Sequence, residues 1–85
     1  MMVDPEWYYE INLKGKTQEE LTTQIHGLKA EINHLKQVVS SPDKYREAWM
    51  ICPSPAVQLK MHRLYLQKAK EALAVAKATP APQDR

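Results

Sequence analysis

Between residues 17 and 39 the apolar side chains fall at Leu21, Ile25, Leu28, Ile32, Leu35 and Val39, in steps of four, three, four, three, four. That spacing places all six on one stripe of a helix and reads as a heptad seam. With Ile25, Ile32 and Val39 at position a, the leucines 21, 28 and 35 take d, a combination that suits parallel two-stranded coiled coils. Glu31 at g and Lys36 at e have the spacing of a cross-helix ion pair, and Gln24 with Lys29 repeats that geometry. Val38 at g widens the stripe, and about three heptads is short for an independent coiled coil. Thr17 followed by Glu20 makes a capping box, so a helix over 17–39 is predicted, stopping at Ser40-Ser41-Pro42. Gly27 inside it costs about 1 kcal/mol relative to alanine. It is read as a point of close approach by an N-terminal aromatic.

A second long helix is predicted over 55–78, opened by Ser54-Pro55-Ala56. Its wheel has two adjoining apolar sectors. One holds Val57, Met61, Leu64, Tyr65, Ala72 and Val75; the other holds Leu59, Leu66, Leu73, Ala69 and Ala76. Together they cover about half the circumference, more than one partner helix buries. Between the long helices, Ser41-Pro42-Asp43 starts a short helix over 42–51 carrying Tyr45, Ala48 and Trp49, ended by Cys52-Pro53. Two helices of similar length joined this closely fold back as an antiparallel hairpin.

The N-terminal stretch 1–15 is less regular. Asp4-Pro5-Glu6 has the make-up of a helix start. Against it, Trp7, Tyr9, Ile11 and Leu13 alternate with Tyr8, Glu10, Asn12 and Lys14 and end at Gly15, the period of a strand. The strand is preferred, as an extended arm anchored by Trp7, Tyr9 and Ile11. A lone strand leaves its backbone unpaired, so it calls for a partner. The expected fold is therefore mainly α: a helical hairpin over 16–78, an arm or strand before it, and a disordered tail over 79–85.

The 85 residues allow one domain, and 44% hydrophobic content suits a globular chain. A chain this short hides too little apolar surface to be robust alone. The surplus sector is expected to be buried between copies, as a dimeric helical bundle, with a parallel coiled-coil dimer through 17–39 as the competing arrangement. Self-association is assigned to Ile25, Leu28, Ile32 and Leu35 for the seam and to Leu59, Leu66 and Leu73 for the second surface.

Charge adds a second candidate. The formal net charge is only +2, but it is uneven. Residues 1–20 set Asp4, Glu6, Glu10, Glu19 and Glu20 against Lys14 and Lys16, a balance of −3. Residues 55–78 set Lys60, Arg63, Lys68, Lys70 and Lys77 against Glu71, a balance of +4. The two ends should attract, within a chain or between copies. Arg63, Lys70 and Lys77, spaced by seven, align with Lys60 as a basic stripe able to track phosphates. Nucleic-acid association is thus the alternative to a protein-interaction module, and Trp7-Tyr8-Tyr9 could stack bases.

Catalytic and metal chemistry find little footing. His26, His34, His62 and Cys52 are the soft ligands, without the spacing of a metal site. His26 and His34 lie about 12 Å apart along a helix. Cys52 is alone, so no intrachain disulfide forms, and it is read as a small buried hydrophobe. Neither glycine belongs to a phosphate-binding loop. No enzyme activity, metal or cofactor is expected. The single cysteine suits a reducing compartment, no signal or membrane-spanning segment is evident, and a cytoplasmic location is expected.

Overall fold

The computed structural model describes residues 3–78. The expected tail, 79–85, lies outside the described residues. Three helices make the fold: a short α1, Pro5–Tyr8, running on into a π-helical turn at Tyr9–Leu13; α2, Gln18–Ser40; and α3, Pro55–Ala78. A 3₁₀ helix, Arg46–Met50, lies in the connection between the long helices, shorter than the helix expected over 42–51. There is no strand among the described residues. The long helices pack along each other in a hairpin-like arrangement.

The strand expected at residues 7–13 is replaced by helix, for a reason the chain itself supplies. Asp4 caps the segment, accepting from the Trp7 N–H at 2.9 Å. The Tyr8 and Lys14 amides bond to the Asp4 and Tyr9 carbonyls, each at 2.9 Å. These backbone groups are satisfied locally, which a lone strand cannot achieve. Burial then follows helical spacing: Pro5, Tyr8, Tyr9, Asn12 and Leu13 face inward, while Trp7 and Ile11 are 56% and 55% exposed. The segment ends in a type II turn over 13–16. Lys14 has φ −64° and ψ 129°, Gly15 has φ 78°, and the Lys16 amide closes on the Leu13 carbonyl at 3.2 Å. Glycine is the residue that takes this left-handed position without strain.

Helix α2 begins on the capping box. Glu20 N–H donates to Thr17 Oγ1 at 3.1 Å, and Thr17 N–H donates to Glu20 Oε1 at 2.9 Å. That second bond, above all, holds the Glu20 carboxyl below its ordinary value. Leu21, Ile25, Leu28, Ile32 and Leu35 are buried as a continuous stripe. The stripe then departs from the heptad. Its last member is Val38, 2% exposed, whereas Val39 is only half-buried. On a straight helix Val39 stands about five whole turns past Leu21 and stays on the line of the stripe, so the burial of Val38 instead goes with the connection that crosses this end of α2. Trp49 Nε1 donates to the Val38 carbonyl at 3.2 Å and folds the connection over this end.

No close approach occurs at Gly27. The residue is exposed, and a Cβ built there meets nothing within 4 Å. The glycine therefore weakens α2 with no packing return. Gly27→Ala is expected to stabilise the fold by about 1 kcal/mol and to raise Tm by roughly 4–8 °C, read in a thermal melt by circular dichroism. An unchanged or lower Tm contradicts an exposed, unobstructed site.

On α3 the buried line runs between the two expected sectors. Tyr65 and Ala69 are 4% and 0% exposed. Met61, Leu66, Ala72, Leu73 and Ala76 pack half-buried against the same core as Leu13, Leu21, Ile25 and Leu28. Leu66 and Leu73, expected to be left over, are thus partly used within the chain. Val57 and Val75, from the other sector, are exposed.

Candidate interaction surface

Tyr65 organises the N-terminal half of the fold. Its ring stacks on Tyr8, with centroids 4.1 Å apart and planes at 9°. Its hydroxyl donates to the Val3 carbonyl, and Gln24 Nε2 donates to the Tyr8 hydroxyl at 3.3 Å. The short helix α1 is thereby pinned to both long helices. Burial pushes both phenol pKa values above the ordinary 10.0, with the neighbouring phenol adding for Tyr8 and Asp4 adding for Tyr65. The sign follows directly. A phenol whose folded pKa is raised contributes its full stability below pH 10, and that contribution is lost as pH rises through the folded value. Tm should be flat approaching pH 10 and fall above it as tyrosinate absorbance rises. A Tm that stays flat well above pH 10 contradicts this coupling.

The side on which α1 sits defines what remains open. Pro5 and Glu6 border Leu64 and Lys68 of α3, and Ile11 and Asn12 border Glu20, Thr23 and Gln24 of α2. At 100° per residue, the opposite side of the hairpin presents Leu59, Leu66 and Leu73 on α3 and Thr22, Lys29 and Lys36 on α2. The three leucines are half-buried and both lysines are exposed. Lys60, Arg63, Lys70 and Lys77 are all exposed beside them. A shallow depression lined by Arg63, Leu66, Gln67, Lys70, Glu71 and Ala74 opens on the outer face of α3, with no α2 residue in its lining. Among the described residues the only ion pair joins Lys14 to Glu10 at 3.3 Å. The expected attraction between acidic start and basic α3 is therefore not realised as an ion pair within the described chain.

The sites singled out in the sequence separate clearly. Ile25, Leu28, Ile32 and Leu35 are buried in the single chain. Tyr9 packs against the core, while Trp7 and Ile11, expected beside it, form an exposed pair one turn apart. At the connection, Met50 and Ile51 are 79% and 61% exposed. Cys52 is also exposed rather than buried. His34 meets the Tyr45 ring edge-on at 6.0 Å, and His62 Nδ1 lies 2.8 Å from the Gln58 carbonyl. No group of three metal-ligating side chains occurs among the described residues, and no helix among them is long and apolar enough to cross a membrane. What sequence reading missed is that Lys29 and Lys36 fall, by helical angle, on the same side as Leu59, Leu66 and Leu73. Their spacing of seven, equal to that of Arg63, Lys70 and Lys77, was the available signal.

Comparison with family models, curated proteins and solved structures finds no match to this chain.

Proposed function

We propose that this chain is a small self-associating helical protein that acts as an interaction module and has no catalysis of its own. One observation carries the reading: large apolar side chains, Trp7 with Ile11 and Met50 with Ile51, stay exposed after the fold has closed. The shape is in keeping with it. The radius of gyration is 15.3 Å over extents of 54 × 20 × 13 Å, against about 12 Å for a compact chain of this length. The long helices run antiparallel in this reading, supported by Gln18 Nε2 at the start of α2 donating to the Ala76 carbonyl near the end of α3 at 3.3 Å. A parallel coiled coil through α2 is disfavoured, because its seam is already covered and the hairpin would have to open. Binding to a second copy stabilises the folded state by mass action. Tm should therefore rise as protein is concentrated from about 5 to about 500 µM; a Tm independent of concentration contradicts the reading.

A second reading, association with nucleic acid, is favoured by the exposed cations Lys60, Arg63, Lys70 and Lys77, none of which is ion-paired among the described residues. Binding to duplex or single strands should then weaken steeply with salt and drop on the double reversal R63E/K70E. Affinity unchanged by that reversal dismisses it.

A further inference from the structure

Resting on the self-association reading, we infer that the contact between copies is heterologous: the Trp7–Ile11 edge of one chain seats in the basic groove on the far side of another chain's hairpin. The two surfaces are complementary in kind. The edge is apolar at Trp7 and Ile11, one helical turn apart, with Glu6 and Glu10 beside them in the same register. The groove is apolar along Leu59, Leu66 and Leu73 and is bordered by Lys29 and Lys36 on one helix and Lys70 on the other. Glu10 is paired with Lys14 at 3.3 Å, whereas Glu6 makes no ion pair among the described residues, and neither do these lysines. Desolvating the two surfaces against each other hides apolar area on both and brings opposite charges together.

The same charges argue against the symmetric alternative. Packing the groove against its own copy would set one row of lysines on another, and like charges in juxtaposition suppress association. Packing edge on edge would oppose Glu6 and Glu10 to themselves. Only the edge-to-groove pairing sets the acids of the edge against lysines of the groove. Edge and groove lie on opposite faces of the hairpin, since α1 covers one side and the groove opens on the other. A pair of chains therefore keeps one unused edge and one unused groove, and the contact propagates unless a rotation closes it.

The full chain in three forms tests this: wild type, W7A/I11A, which lacks the edge, and K29E/K70E, which has its groove reversed. All four positions are exposed, and melts at low concentration check that each variant folds. In sedimentation velocity, wild type associates, and each variant alone weakens self-association by roughly 30-fold or more. Mixing the two variants restores a 1:1 pair that grows no further, because one supplies only a groove and the other only an edge. A wild type that associates while the mixture stays monomeric overturns the edge-to-groove contact and leaves self-association standing. K29E/K70E associating more tightly than wild type overturns it too, in favour of groove-on-groove packing. A monomeric wild type overturns both readings, and an oligonucleotide then bound in a Lys29- and Lys70-dependent way installs the nucleic-acid reading in their place.

Discussion

Tyr65→Ala is expected to cost about 3–5 kcal/mol, the range for losing a large buried aromatic. Tyr65 is 4% exposed and holds α1 in two ways at once, by the Tyr8 stack and by the hydroxyl bond to Val3. Removing it leaves a void against Leu13, Leu21 and Ala69. Total stability for a chain of 85 residues is about 4–13 kcal/mol, so this one change removes a large share of it. The loss should begin locally. Hydrogen exchange at residues 5–13 should accelerate more than at the centre of α2, because α1 depends on this ring and the α2–α3 contact does so less. Tyr65→Phe separates the two holds: it keeps the stack, drops the hydroxyl bond and should cost about 1 kcal/mol. Urea unfolding gives both values. A Tyr65→Ala loss below about 1 kcal/mol, outside the range for a buried aromatic, would mean the ring is not buried as described.

Leu21→Ala is expected to cost about 2–5 kcal/mol with a different signature. Leu21 is 2% exposed in the core that joins Leu13 to Tyr65 and Ala69. It lies on α2, inside the contact that closes the hairpin, so its removal weakens all three helices together. Circular dichroism and Trp7 and Trp49 fluorescence should shift to a common lower midpoint, as a two-state transition requires. Separated midpoints would show that α1 and the long helices do not share this core.

The long helices were legible because independent signals agreed. Thr17 and Glu20 marked the start of α2, Pro55 the start of α3, and the apolar spacing between them was helical. Residues 7–13 misled because Tyr9 and Leu13 are inward in both periods. The choice turned on Trp7 and Ile11 against Tyr8 and Asn12, and Tyr8 goes inward because Tyr65, far along the chain, receives it. Val38 replaced Val39 because the connection folds over that end of α2 through Trp49, which the spacing within the helix does not encode. On α3 the apolar arc was too wide to choose its own facing line. The line fell on Tyr65 and Ala69, where a small residue admits α2 closely and a large one carries α1. The cations of α3 were legible as a stripe. That Lys29 and Lys36 share a side with Leu59, Leu66 and Leu73 was not, because it depends on which faces of the two long helices meet.

One copy of this chain leaves Trp7, Ile11, Met50 and Ile51 exposed, and the proposed self-association covers such surface with a second copy. Sedimentation equilibrium of the wild-type chain, followed upward through the micromolar range, measures this most directly. The weight-average mass should climb above the 9.8 kDa of a single chain as concentration rises. A mass that stays at one chain throughout, with Trp7 fluorescence unchanged, would contradict it.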